Sequence, residues 1–96
     1  MILALIAACA DPATSPLARI DRDVDHAPFV ARVDERIDAG GYSYLRLGEE
    51  WVVGLDHGLQ VGEDARVLRI GRARDFRSAR TGRAFEALTF AVVVRP

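Results

Sequence analysis

The sequence contains no lysine, and all thirteen of its basic residues are arginine. Together with the high alanine content, this bias indicates GC-rich codon usage, so the number of arginines alone says little about ligands. The formal net charge is only −1, which gives no overall electrostatic reason to expect nucleic-acid binding. The charge is nevertheless uneven, because residues 1–58 carry five Arg and ten acidic residues, whereas residues 59–96 carry eight Arg and four acidic residues. The C-terminal part is therefore the candidate for a basic contact surface.

Residues that catalyse reactions or bind metals are scarce. There are one cysteine and two histidines, and the Gly-x-Ser-x-Gly motif of hydrolases is missing. The acidic run at residues 21–25 imitates the start of a calcium-binding EF-hand loop, but His26 and Arg32 stand where that loop needs glycine and glutamate. Asp56-His57-Gly58 is either a turn or part of a weak metal or catalytic site, and a turn is the more ordinary use of such residues. We therefore predict a protein that is not an enzyme, with no catalytic residues, no metal and no cofactor.

Long apolar runs are also missing, and the longest one lies at the N-terminus. Residues 2–8 are continuously apolar but much shorter than the about 20 residues that cross a bilayer. Their length is typical of the hydrophobic region of a signal peptide, and Ile6-Ala7-Ala8-Cys9 resembles the lipobox of bacterial lipoproteins. We predict a lipoprotein signal peptide at residues 1–8 and a lipid on Cys9. The alternative is a buried first strand with an inert cysteine.

Residues 9–28 are predicted to be a flexible linker between this anchor and the folded domain. They contain three prolines, alternating charges and no apolar period of 2 or 3.6 residues, so they match neither a strand nor a helix. Ala10 follows the cysteine in place of aspartate, which favours the outer membrane. The expected location is therefore the cell envelope, facing the periplasm, although the signal segment lacks the usual Lys or Arg before its apolar run.

Residues 29–96 are predicted to form one small domain of five strands. The segment at 29–37 alternates apolar and polar residues, as a half-buried strand does, and four further strands follow at 42–47, 51–55, about 65–70 and 85–94. Five short strands, tight turns and no convincing helix indicate an all-β small barrel.

The turn between the second and third strands decides which side chains are buried. A three-residue turn at 48–50 would set Leu47 opposite Trp51 and gather Leu45, Leu47, Trp51, Val53 and Leu55 on the core face. The other face, which carries two aromatic rings and a cation, is the candidate contact surface, and arginines recur beside it at every third position. The predicted ligand-binding residues are Tyr42, Tyr44, Arg46, Arg74, Arg77, Arg80 and Arg83. Alternatively, residues 71–83 cover the tyrosines and the arginines pair with the acidic residues.

The folded part resembles a known family. Five elements carry the resemblance: Ala39-Gly40-Gly41-Tyr42-Ser43-Tyr44-Leu45, Glu50-Trp51-Val52, Val61-Gly62-Glu63-Asp64, Arg74-Asp75-Phe76-Arg77-Ser78 and Gly82-Arg83-Ala84-Phe85. The segment is similar to small exported OB-like proteins and lipoproteins related to the accessory protein of the periplasmic cytochrome c nitrite reductase system. The resemblance implies a five-stranded OB-type barrel exported to the envelope, with no catalytic residues to transfer. The loop at 48–50 is shorter than in many relatives, and the Met- and His-rich leader of some relatives is missing, which removes support for a metal role.

The sequence therefore predicts a non-enzymatic envelope lipoprotein whose barrel binds a protein or another envelope component, such as an anionic ligand. The alternative is an OB-fold module that binds nucleic acid. An exported location disfavours that alternative, and its binding would fall steeply with salt concentration.

Overall fold

The computed structural model describes residues 20–78 and 81–96. The predicted signal peptide, Cys9, residues 10–19 of the predicted linker and Arg80 lie outside the described residues. All regular structure in the described part is β, as predicted, and consists of β1 (Phe29–Arg32), β2 (Glu35–Asp38), β3 (Tyr42–Leu47), β4 (Glu50–Leu55), β5 (Asp64–Arg77) and β6 (Ala84–Val94). Within these residues there is no helix with the length and apolar character needed to span a membrane.

The six strands form one sheet that curls into a half-barrel, in the order β1-β5-β6-β4-β3-β2. Neighbouring strands are antiparallel, except that β4 and β6 are parallel. The two outermost strands, β1 and β2, are adjacent in the sequence. A bend in the chain between them therefore joins the two sides of the curled sheet.

This bend explains why the structure has six strands where five were predicted. The N–H of Val33 donates to the Glu63 carbonyl at 2.9 Å, and the Val33 carbonyl accepts from the Gly62 N–H at 2.8 Å, both just before β5. The N–H of Asp34 instead donates to the carbonyl of Arg46 on β3 at 2.8 Å. The first predicted strand thus exchanges one neighbouring strand for another and is divided in two.

The turn between β3 and β4 is one residue shorter than predicted. It consists of Gly48 and Glu49, so Leu47 pairs with Glu50 and not with Trp51. Gly48 has φ +67°, a conformation that costs glycine little and that suits a two-residue hairpin turn. Glu50 belongs to the strand, and its carboxylate is bound by side chains from two other strands, as described below.

The shift of one residue reverses the predicted face of Trp51. Directly paired residues share a face of the sheet, and Trp51 pairs with Arg46 while Val53 pairs with Tyr44. Trp51 therefore lies on the side of the tyrosines, half-buried, and its predicted place in the leucine core is wrong. Leu45 of that core is confirmed as buried.

Apolar side chains form one cluster on each face of the sheet. The cluster inside the curl contains Val33, Leu45, Leu47, Val52, Leu59, Ala65, Val67, Ala91 and Val93. The cluster on the other face, called the outer cluster below, contains Ala39, Tyr44, Val53, Phe85 and Leu88, flanked by Ile37, Trp51, Phe76 and Phe90. It exists because the start of β6 brings Phe85 over β3 and β4. There the Phe85 ring stacks on Tyr44 at 5.2 Å and tilts against Trp51 at 5.3 Å between centroids.

The arginine-rich stretch after residue 70, which the sequence left unassigned, continues β5 as far as Arg77. A β-bulge lies between Arg69 and Gly71, after which Arg72 pairs with Thr89 and Arg74 with Ala87 of β6. The long β5–β6 hairpin therefore carries arginines past the β3–β4 turn, where the candidate site lies.

Candidate functional site

The two predicted contact tyrosines have different environments. Tyr42 is 52% exposed and pairs with Leu55, which is 59% exposed. Tyr44 is only 7% exposed, because its ring is stacked on Phe85. Tyr44 is therefore covered by a ring of β6, whereas the alternative supposed that residues 71–83 cover it. Of the two rings, only that of Tyr42 is exposed on the surface.

Arg46 and Arg83 flank Trp51 and make contacts within the domain. The Arg46 Nε donates to Glu35 Oε1 at 2.6 Å, and another guanidinium nitrogen donates to the Gly48 carbonyl at 2.7 Å. The Arg83 guanidinium lies 4.6 Å from the centroid of the Trp51 ring, within cation–π distance. Both predicted binding residues therefore have an intramolecular partner in this structure.

The remaining predicted arginines do not join the tyrosines. Arg74 and Arg77 are exposed on β5, and Arg80 lies outside the described residues. Arg74 lines a cleft at the β3–β4 turn instead, together with Arg72. Sequence reasoning missed Arg72 because it followed the three-residue spacing of the arginines. The two-residue alternation of Arg72 and Arg74, read as a strand, would have found it.

The cleft of about 410 Å³ lies between the β3–β4 turn and the β5–β6 hairpin. We call it the arginine cleft; it is lined by Leu47, Glu49, Glu50, Trp51, Arg72, Arg74, Ala87 and Thr89. Its lining thus combines two guanidinium groups with part of an indole ring and a threonine hydroxyl. Such a lining suits an anionic ligand that also offers an apolar or aromatic group.

Glu50 organises the arginines at the base of this cleft. Its carboxylate accepts two hydrogen bonds from Arg69, from Nε at 2.9 Å and from a terminal nitrogen at 2.7 Å, and a third from the Thr89 hydroxyl at 2.8 Å. The bonds from Arg69 are the main reason that the pKa of Glu50 lies below its usual value, against the opposing effect of burial. Arg72 approaches the same carboxylate at 3.7 Å.

The side chains that line the arginine cleft carry two positive charges, from Arg72 and Arg74, and two negative charges, from Glu49 and Glu50. The Glu50 carboxylate is already bound by Arg69 and Thr89. Within residues 20–78 and 81–96, no carboxylate forms an ion pair with Arg74. The Arg74 guanidinium is therefore available to an anionic partner.

The segment Asp56-His57-Gly58 is used structurally. Asp56 accepts two hydrogen bonds from Arg36, at 2.7 and 3.1 Å, and one from the Gly58 N–H at 2.8 Å, as in an Asx-turn. The bonds from Arg36, followed by the one from Gly58, lower the pKa of Asp56 to about 2. The described part of the chain contains no group of three or more His, Cys, Asp or Glu side chains that could hold a metal ion.

Comparison with protein-family models, with curated proteins and with solved structures finds no match to this chain. The resemblance to the exported OB-like family therefore stays a prediction from the residues.

Proposed function

We propose that this chain is a non-enzymatic envelope lipoprotein whose OB-like barrel binds an anionic segment of another envelope protein in the arginine cleft. The observation that carries the proposal is the pair Arg72 and Arg74 on one side of β5, opening beside the half-buried Trp51. A guanidinium group binds carboxylates with two parallel hydrogen bonds, and an indole ring beside it adds apolar contact area.

The order of the strands supports the OB-like part of the proposal. Taken together, β1 and β2 are one bent strand that pairs with β5 on one side and with β3 on the other. With that pair counted once, five strands remain, and the third and the fifth are the parallel pair. This is the arrangement expected of a partly open, five-stranded OB barrel.

The lipid anchor rests on the sequence around Cys9, and it leads to a direct prediction. Wild-type protein should fractionate with membranes, and Cys9→Ser should move it to the soluble fraction or leave it unprocessed, because the serine cannot carry the thioether-linked lipid. The measurement is immunoblotting of fractionated cells beside mass spectrometry of the mature N-terminus. Soluble wild-type protein with residues 1–8 intact would refute the envelope location.

Capture experiments test the role of the arginine cleft. We expect Arg72→Gln/Arg74→Gln to reduce capture of partners from an envelope extract at least about tenfold, the loss of one good charged contact. The matched control is Arg32→Gln/Arg66→Gln, which removes the same charge from exposed residues of β1 and β5 outside the cleft. Equal capture by both double variants, whether reduced or unchanged, would contradict a specific role for the cleft.

The alternative function, nucleic-acid binding, is favoured by one observation, the position of Trp51 beside arginines. Aromatic rings backed by arginine are typical of sites for single-stranded nucleic acid. Titration of the unlipidated chain with a single-stranded oligonucleotide at several salt concentrations separates the two functions. Tight binding that weakens steeply with salt and requires Trp51 would favour the alternative.

A further inference from the structure

The first described residues of the chain lie along β5, immediately beyond the part that β1 covers. The N–H of Asp21 donates to the Arg72 carbonyl, and the N–H of Arg72 donates to the Asp21 carbonyl, each at 2.8 Å. Farther along, the His26 Nδ1 donates to the Arg69 carbonyl at 2.8 Å. Residues 20–26, called the N-terminal segment below, are therefore bonded to the free side of β5, although the sequence placed them in the linker.

The N-terminal segment is seated in a notch that depends on Gly71. A Cβ atom on Gly71 would lie 2.0 Å from the Ile20 side chain and 3.0 Å from the Asp21 carbonyl oxygen. Gly71 is not one of the glycines with a positive φ. The glycine is thus needed for the close approach of this segment and not for the backbone conformation.

The same segment faces the arginines of the cleft with acidic side chains. A second cavity of about 380 Å³ is lined by Asp21, Asp23 and Val24 on one side and by Arg72 and Arg74 on the other. Both guanidinium groups therefore stand between the arginine cleft and the chain's own aspartates. The two aspartates add negative charge to the cavity that holds these arginines, although within the described residues neither forms an ion pair with Arg72 or Arg74.

We propose that the free side of β5 at Arg72 is a docking edge for an extended acidic peptide of a partner protein, and that the N-terminal segment occupies it as an internal competitor. The proposal rests on the proposed function, because it uses the same two arginines. An exposed strand edge accepts an added strand through its backbone groups, and the bridge between Asp21 and Arg72 shows one such pair already formed. Flanking arginines select a peptide with acidic residues.

Covalent attachment gives the competitor an advantage that a separate peptide lacks. A segment tethered by a short stretch of chain has an effective concentration in the millimolar range. A partner can bind only the molecules in which the edge is free. Its apparent affinity is therefore the intrinsic affinity multiplied by the fraction of molecules with a free edge. Release of the N-terminal segment should strengthen binding without changing any residue that contacts the partner.

The experiment uses the full-length chain with Cys9→Ser and a fluorescent peptide with the sequence of residues 20–28. In that chain Asp21→Pro removes the N–H that donates to Arg72. We expect it to bind the peptide at least about tenfold more tightly than the parent chain, as loss of a tethered competitor predicts. The matched control Asp23→Pro makes the same change of residue but removes only a local bond, to Asp21 Oδ1, and should stay within about threefold of the parent.

Two further variants separate the docking edge from general electrostatic attraction. Adding Arg72→Gln/Arg74→Gln to Asp21→Pro should cancel the gain. Gly71→Ala should prevent peptide binding by filling the notch, and a peptide with glycine in place of Ile20 should bind this variant again. Melting curves must show that each variant is folded before its affinity is compared.

Equal affinity of the parent chain and Asp21→Pro would overturn the internal competitor, and no binding of the peptide by any form would overturn the docking edge. Capture of envelope partners that still depended on Arg72 and Arg74 would in that case leave the proposed function standing. A parent chain that forms dimers which the peptide dissociates would also overturn the internal competitor, because the segment would then belong to a second copy.

Discussion

Tyr44→Ala should lower the free energy of unfolding by about 3–5 kcal/mol, the usual range for truncation of a large buried aromatic side chain. The ring is 7% exposed and lies face to face with Phe85, so its removal leaves a cavity between β3 and the start of β6. A domain of this size is marginally stable, and the variant should therefore unfold at a much lower urea concentration. The measurement is equilibrium urea unfolding followed by circular dichroism.

Tyr42→Ala is the matched control, since it is the same substitution two residues away on the same face of β3. Its ring is about half exposed, and surface substitutions usually change stability by no more than about 0.5 kcal/mol. Equal stability of the two variants would mean that Phe85 does not cover Tyr44, and the outer cluster would be wrong. A loss of partner capture in Tyr42→Ala alone would extend the binding surface from the arginine cleft to this exposed ring.

The sequence was informative about local structure. Alternating apolar residues and turn glycines correctly indicated an all-β domain and strands close to β3, β4 and β6. The division of the first strand was beyond such reasoning, because alternation continues through Val33 and Asp34 while their hydrogen-bond partners change from one strand to another. Which strand lies beside a given residue is a property of the whole sheet.

The predicted register of the β3–β4 hairpin was wrong for a similar reason. Glu50 is polar and follows Glu49, so it was assigned to the turn, whereas its partners Arg69 and Thr89 lie far along the chain. A bidentate ion pair with Arg69 allows a carboxylate to occupy a strand position at the end of the curl. The face on which Trp51 lies depends on that distant contact.

The candidate site was only partly accessible from the sequence. Arg74 was among the predicted residues, but Arg72 was overlooked because the three-residue spacing of the arginines was followed and β5 was expected to end near residue 70, just before Gly71. Gly71 lies within β5. A glycine is found at this strand position because the N-terminal segment occupies the space that a side chain would fill. The assignment of residues 20–26 to a linker missed their contacts because a single β-bridge has no sequence period.

Gly54→Ala should destabilise the domain by about 3 kcal/mol or more, at or above the upper end of the usual range for overpacked sites. A Cβ atom on Gly54 would lie 2.4 Å from the carbonyl oxygen of Ala91, which is backbone and cannot rotate away. Gly54 follows Val52 and Val53, the two β4 residues that pair with β6. The methyl group would therefore push β4 away from β6. In the described sheet, β4 is the strand that connects β2 and β3 to β6.

Gly48→Ala provides the control, because it makes the same substitution where no atom lies within 4 Å but φ is +67°. Its cost should be limited to about 1–2 kcal/mol for a left-handed alanine, so urea unfolding should rank Gly54→Ala as the more damaging change. The reverse ranking would show that β4 and β6 are not in such close contact. The junction also concerns function, since Glu50 of β4 and Thr89 of β6 meet in the arginine cleft. Any folded fraction of Gly54→Ala should therefore capture partners less well than Gly48→Ala, because separating the two strands would also separate the groups that hold Arg72 in place.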